Sequence, residues 1–329
     1  MRHVAVIGSG AMGTACAILL ADQLPHVTLW GRDAENMRQM AISRENSRQL
    51  PGTPLPTNLS PTADSHAAVA EAECLVVAVP TRFLRATLKP FADIIPPGIP
   101  AISVVKGIEN ETFCRPTQVI LETTGPRPVV ALTGPCHAEE AVHRLPCSLV
   151  AASEDSAAAR QTQNLFTSDR FRVYTNSDIV GAELAGAIKN VMAIAAGISD
   201  GLGYGDNAKS ALMTRGIVEM MRFGAAFGAH ASTFQGLAGI GDLITTCVSP
   251  HGRNRRLGEG LGRGQSLEQA SAAMSGVAEG VNTCRSVIGI ARERGIDMPI
   301  ATEVHRVLFE GQSPQEATNR LMQRPLREE

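Results

Sequence analysis

Residues 4–23, VAVIGSGAMGTACAILLADQ, decide the fold. The short apolar run Val4–Gly8 has the length and composition of a buried strand, and a helical pattern over Met12–Gln23 follows it. Between them lies Gly8-Ser9-Gly10-Ala11-Met12-Gly13, which is G-x-G-x-x-G. The hexapeptide alone is a weak signal, but leaving a strand and opening a helix is its informative context. Gly8 permits the tight turn, Gly10 lets backbone approach a pyrophosphate, and Gly13 lets the helix pack on the strand. Free N–H groups at the helix start then hold phosphate. The expected ligand is NADP or NAD. The next strand ends in Trp30-Gly31-Arg32-Asp33. Arg32 suits a ribose 2′-phosphate, whereas Asp33 either takes a 2′-OH or caps the following helix.

Working outward, strands and helices alternate. Strand runs are expected at His26–Trp30, Leu75–Val79, Ala101–Val105, Val129–Leu132, Ser148–Ala152 and Phe171–Tyr174. Helical patterns cover Asp33–Ser43, Thr81–Phe91, Thr117–Thr123 and Asp155–Phe166, and the four prolines in Gln49–Thr62 predict a loop. This alternation implies a doubly wound, Rossmann-type, mainly parallel sheet covered on both faces. After Asp178 the strand signal stops. Eight helical segments from Ile179 to Met322 predict an all-α second domain. The expected division is 1–180 for the dinucleotide-binding domain and 181–329 for a helical substrate and catalytic domain.

The second half opens with VGAELAGAIKNVMAIAAGIS, residues 180–199. Its periodic face carries Leu184, Ile188, Val191, Ala195 and Ile198, and its other side is Ala and Gly rather than polar. A helix with no polar face is buried, and Lys189 sits inside it. Two readings stay open from this helix alone: a stem that snorkels out of a small-residue groove, or a desolvated amine able to trade protons near neutral pH.

Composition narrows the class. The chain has 329 residues, 44% hydrophobic and 19% charged, which is enough apolar material for two domains. A net charge of -2 and 4% aromatics argue against nucleic acid as a partner. Seven cysteines with wide spacing and no C-x-x-C pair favour thiols in a reducing compartment. The eight histidines show no metal-ligand spacing, so no metal is expected. A strand at the very N-terminus and no apolar run of membrane-spanning length make cytoplasmic the expected location.

Further motifs appear in order: KGIE at 106–109, LTGPCHAEE at 132–140, ELAGAIKNV at 183–191, GDNAKSALMTRG at 205–216, GLAGIGDLITTC at 236–247, GRNRRLG at 252–258 and VAEG at 277–280. With GSGAMG they resemble the bacterial NAD(P)-dependent glycerol-3-phosphate dehydrogenases over essentially the whole chain. The resemblance implies interconversion of dihydroxyacetone phosphate and sn-glycerol 3-phosphate for phospholipid synthesis, in a homodimer. It implies that Ala11 and Met12 line the pyrophosphate and that Arg32 meets the adenosine ribose. Lys106 touches cofactor and substrate, and Gly134, Cys136 and Ala138 line their junction. Lys189 transfers the proton. Asp242, Gly252, Arg253 and Asn254 hold the substrate, with Arg253 also reaching the cofactor, and Val277 and Glu279 close over the cofactor. Three positions depart from the family pattern. Cys136 stands where Ser or Thr is usual, Gly252 where Ser is usual, and Ser103 where Trp is common. None removes a charge, so altered affinity is expected before loss of reaction.

The chemistry is consistent with the residues themselves. Reducing a ketone builds negative charge on oxygen, and a positioned lysine supplies the proton. Asp242 is placed to orient that lysine. Arg253 offers a planar fork of donors for phosphate oxygens. Cys136 beside His137 reads as pocket lining, because Cys–His catalysis needs spatial pairing that adjacency does not supply. Asp200, Asp206 and Glu219 read as caps and surface charges. Two alternatives remain: a β-hydroxyacid or 6-phosphogluconate-type dehydrogenase, and a non-catalytic NADP sensor.

Overall fold

The computed structural model describes residues 1–274, 276–326 and 328. Eight strands form one sheet: β1 His3–Ile7, β2 His26–Trp30, β3 Leu59–Thr62, β4 Cys74–Val77, β5 Ala101–Ser103, β6 Val129–Thr133, β7 Cys147–Ala152 and β8 Phe171–Asn176. Their order is β3-β2-β1-β4-β5-β6-β7-β8, and every pair is parallel except β6–β7. The doubly wound, mainly parallel α/β expectation therefore stands. Seven helices accompany the sheet: α1 Ala11–Ala21, α2 Ala34–Ser43, α3 Ser65–Val69, α4 Thr81–Leu88, α5 Pro116–Thr124, α6 Ala138–Val142 and α7 Ser156–Phe166.

β1 is buried along its whole length, as a strand covered on both faces must be. Val4 and Val6 join one apolar layer with residues of α1 and α7, and Ala5 and Ile7 join the opposite layer with Leu84 and Ile120. Each fully buried Val, Leu or Ile among them contributes about 1.5–3 kcal/mol. The sheet order reverses between β1 and β4, the place where open parallel sheets bind ligands.

Three short elements depart from the sequence reading. β3 lies inside the stretch expected to be loop, and Pro61 is part of it. An edge strand tolerates a proline that a central strand would reject, and β3 is an edge. The five-residue helices α3 and α6 are too brief to show a period.

The second part of the chain is helical: α8 Ile179–Gly201, α9 Gly205–Ala225, α10 Ala231–Gln235, α11 Asp242–Val248, α12 Arg253–Gly262, α13 Leu267–Ala272, α14 Glu279–Arg294, α15 Pro299–Phe309 and α16 Pro314–Met322. By contacts the chain divides into two compact units. One holds Met1–Lys106 and Cys114–Ala182, and the other Gly107–Phe113 and Glu183–Glu329. In the second unit Ser286 Oγ donates to the carbonyl of Ile108 (3.1 Å) and to Asn110 Oδ1 (2.6 Å), which ties the 107–113 segment to α14.

By length and composition α8 is apolar enough to cross a membrane, although the sequence reading saw no such run. Its most apolar window is 94% buried within the structure, so α8 is a core helix here.

Candidate active site

The residues singled out from the sequence fall into two groups, one in each unit. In the first unit the glycine loop sits at the reversal of strand order. Gly8 has φ +114°, and a Cβ there would lie 2.7 Å from the Ala78 carbonyl oxygen beyond β4. A Cβ on Gly13 would lie 1.9 Å from the Gly8 carbonyl oxygen, so only glycine lets α1 close on the loop. Gly10 differs, since nothing lies within 4 Å of its Cβ position. Gly10 is also the N-cap of α1, with no side-chain cap and no acidic residue in the first turn. The helix therefore keeps its N-terminal donors and positive end for an anion. These features fit a dinucleotide pyrophosphate. Ala11 and Met12, partly exposed, form the first turn.

Asn46, which the sequence reading passed over, holds this loop. It is fully buried, and its Nδ2 donates to the Ser9 carbonyl (3.0 Å) and to Thr14 Oγ1 (2.8 Å). An asparagine more than thirty residues away carries no local signal of that role.

Arg32 is exposed after β2, its guanidinium carbon 5.5 Å from the Phe83 ring centroid. Asp33 is committed elsewhere. Its Oδ1 accepts from the Asn36 amide (3.0 Å) and caps α2, and its Oδ2 pairs with Arg48 (2.9 Å). The Asn36 amide first, and Arg48 after it, hold this carboxyl below its usual range. Of the two readings of Asp33, the geometry is that of a cap.

Lys106 Nζ donates to the Gly134 carbonyl at 2.9 Å. Gly134 has φ +116°, and a Cβ there would press on Leu149 Cα and the Ser148 carbonyl at 3.3 Å. Met12, Val104, Lys106, Gly134 and Cys136 line one largely apolar cavity. Ala138 is buried and starts α6 beside it.

In the second unit Lys189 is 5% exposed, so its stem does not snorkel to water. Its Nζ donates to Asp242 Oδ1 at 2.7 Å and to Thr246 Oγ1. Asp242 is 1% exposed. A π turn over Leu237–Gly241 feeds directly into α11 and delivers Asp242 and Thr246 to α8. Such turns recur at functional sites. Gly239 belongs to the turn, where a Cβ would lie 2.0 Å from the Phe234 carbonyl oxygen. The sequence reading placed a continuous helix over these residues and did not single out Thr246.

Asn254 is buried in the first turn of α12. Its Nδ2 donates to Asn190 Oδ1 (3.0 Å), and its Oδ1 accepts from the Gly280 amide (3.0 Å). Asn190, next to Lys189 in sequence, was also missed. Arg253 is exposed beside Gly276 (φ +92°), where a Cβ would lie 2.6 Å from its Nη1. Gly252 is the buried N-cap of α12, and a Cβ there would lie 2.9 Å from the Thr246 carbonyl oxygen. Arg255 is structural, since it binds Asp200 Oδ2 at 2.7 Å while Lys209 takes Oδ1. Val277 is partly exposed, and Glu279 opens α14.

Residues 3–159 match the family model for the N-terminus of NAD-dependent glycerol-3-phosphate dehydrogenase, and residues 178–319 match the one for its C-terminus. The chain belongs to the NAD-dependent glycerol-3-phosphate dehydrogenase family. A glycerol-3-phosphate dehydrogenase (NAD(P)+) of Chlorobium limicola is 46% identical over 99% of both chains. One from Geobacillus kaustophilus is 45% identical over 100% of this chain and 96% of its own. The glycerol-3-phosphate dehydrogenase structure from Coxiella burnetii superposes with a TM-score of 0.95 at 34% identity, covering 98% of this chain and 99% of the other. In this family member Glu219 is a buried cap rather than a surface charge. It is 2% exposed and accepts from the amides of Ile300 (2.6 Å) and Ala301 (3.3 Å) at the start of α15. Burial raises its carboxyl to about 7, against those two hydrogen bonds.

Proposed function

We propose that this chain reduces dihydroxyacetone phosphate to sn-glycerol 3-phosphate with NADPH or NADH and catalyses the reverse oxidation. The observation that carries the reading is the dry Lys189–Asp242–Thr246 cluster, an ammonium held ready inside a helical unit. The names of the full-length relatives support it. Residues 1–180 serve the cofactor, and residues 181–329 serve the substrate and the proton.

Gly8, Gly10 and Gly13 shape the loop whose amides, with Ala11 and Met12, receive the pyrophosphate. Arg32 takes the adenosine ribose side. Because Asp33 is tied up as a cap, NADPH is the preferred form. Lys106, Gly134, Cys136 and Ala138 line the junction with substrate, and Val277 and Glu279 contact the cofactor. The nicotinamide, when bound, supplies the hydride for the ketone carbon. Lys189 gives its Nζ proton to the ketone oxygen as charge develops there. In the oxidative direction the neutral amine takes the proton from the alcohol. Asp242 and Thr246 fix the amine's position, and Arg253, Asn254 and Gly252 at the start of α12 receive the phosphate end. The homodimer, the cytoplasmic location and the supply of glycerol phosphate to phospholipid synthesis belong to the same proposal and rest on the family pattern.

Following NADPH absorbance with dihydroxyacetone phosphate tests it. Turnover by the wild type is expected, with a loss of about 10²–10⁴-fold in Lys189→Ala. Turnover of a β-hydroxyacid in place of the phosphate ester overturns the substrate assignment. Cofactor binding without any turnover leaves a sensor. Arg32→Ala should bring NADPH and NADH affinities together, and an unchanged preference removes Arg32 from the site.

A further inference from the structure

The thiols of Cys136, which follows β6, and Cys147, which opens β7, are hydrogen-bonded to each other. The β6–β7 register is antiparallel, with Leu132 opposite Ala151 and Thr133 opposite Val150. β6 ends at Thr133, and Gly134, Pro135 and Cys136 lead on from it. The close approach of Gly134 to Leu149 Cα shows that the two backbones do stay together this far. The Cys147 thiol donates to the Pro135 carbonyl at 3.0 Å and also hydrogen-bonds with the Cys136 thiol. Both cysteines are partly exposed, and Cys136 shares its cavity with the Lys106 ammonium.

We propose that Cys136 and Cys147 form an oxidation site, converted by hydrogen peroxide into a cross-strand disulfide that withdraws the Cys136 side chain from the cavity beside Lys106 and slows turnover. Its effect on turnover rests on the proposed function, whereas the disulfide itself does not. The Cys136 thiolate attacks one peroxide oxygen, the O–O bond breaks, and Cys136 becomes a sulfenic acid as the first water leaves. The Cys147 sulfur then attacks the Cys136 sulfur. The S–S bond forms, the S–O bond breaks and the second water leaves. Two thiols are oxidised by two electrons, and one peroxide is reduced to two waters. The assignment of roles follows the surroundings. Hydrogen bonding to Cys136, and after it burial, push the Cys147 thiol up, so Cys136 meets the peroxide first and Cys147 gives up its proton only as it attacks the sulfenic sulfur. Cys16 is the competing partner, but it is buried, only 4% exposed, whereas Cys147 is partly exposed.

The full-length protein is treated with hydrogen peroxide, alkylated, digested without reductant and mapped by mass spectrometry. Turnover is assayed in parallel, before and after dithiothreitol. A peptide linking Cys136 to Cys147 is expected, with turnover down about tenfold and restored by the reductant. Cys147→Ser should keep basal turnover and form no link. Lacking a resolving thiol, it should accumulate Cys136 sulfinic acid and an inactivation that dithiothreitol does not reverse. A Cys16–Cys136 link, or no link at all, overturns the site. A Cys136–Cys147 link with unchanged turnover overturns its effect on the enzyme. Failure of the untreated protein to turn over dihydroxyacetone phosphate strikes the proposed function instead, and the peptide map still decides the disulfide.

Discussion

Asp242→Asn leaves a buried ammonium without its counter-charge while keeping the side chain's shape. Lys189 and Asp242 are 5% and 1% exposed, and their charged atoms are 2.7 Å apart. At an effective dielectric of about 20, that separation corresponds to an attraction of about 6 kcal/mol. Desolvation removes several kcal/mol per ion, so the intact pair adds little net stability. Breaking it is another matter: removing one partner of such a pair costs about 3–5 kcal/mol. Lys189→Met should cost a similar amount, because the buried Asp242 carboxylate then loses the ammonium that balances its charge. The double variant, with neither charge, should return to within about 1 kcal/mol of wild type. Urea unfolding of the four proteins at pH 7 closes the cycle, with the coupling read from the departure from additivity. Catalysis should behave differently. Turnover should fall about 10²–10⁴-fold in Lys189→Met and should not recover in the double variant. Strictly additive stabilities, or an Asp242→Asn protein as stable as wild type, would refute the claim that this ammonium is held dry by its carboxylate.

Two further predictions separate packing from binding and cap from charge. Gly13→Ala sets a Cβ against the Gly8 carbonyl, whereas Gly10→Ala sets one into open space. Gly13→Ala should therefore lower the melting temperature of the cofactor-free protein and weaken NADPH binding by calorimetry, at an overpacking cost of about 1–3 kcal/mol. Gly10→Ala should weaken binding with melting unchanged, and equal melting losses in both would contradict the loop geometry. The Glu219 carboxyl titrates at about 7 in the fold, against 4.5 for an ordinary glutamate. The folded state then holds the proton more tightly than the unfolded chain. Its stability relative to Glu219→Gln should be greatest below pH 4.5 and fall as pH rises through 7, by about 3 kcal/mol in all. A pH-independent difference in urea midpoints between the two proteins would show that this carboxyl does not titrate there.

What could be read from the chain, and what could not, follows from the range of the forces involved. The glycine loop is legible because its requirements are local: a positive φ at Gly8 and no room for a Cβ at Gly13 are set within a few residues. The long helices announce themselves by period. β3 does not, because Pro61 argues against a strand until the strand is known to lie at an edge. The π turn ahead of Asp242 is a shift in backbone hydrogen bonding, with only its glycines as a trace. Asn46, Asn190 and Thr246 act through partners 32–64 residues away in the chain, and nothing in a linear pattern names those partners.

The unusual position of Lys189 has a packing cause that connects these points. A lysine flanked by Ile188 and Asn190 could reach solvent if neighbouring helices stood a normal distance away. Within the helical unit they do not. A Cβ on Gly197 would lie 1.9 Å from the Arg255 carbonyl oxygen, and one on Gly258 would lie 2.1 Å from that of Ile194. Gly201 and Gly262 repeat the contact one turn later, so α8 and α12 touch backbone to backbone. The same contact brings Asn254 onto Asn190, one residue from the lysine. The glycines of α8 are thus the residues that allow a second helix to close over it. An alanine at Gly258 should force the two helices apart, reach Lys189 and Asn254 together, and lower both stability and turnover. The same substitution at Gly264, where φ is +88° and nothing lies within 4 Å, should cost stability alone. If Gly258→Ala kept full turnover, the burial of the amine would need a cause other than this helix contact.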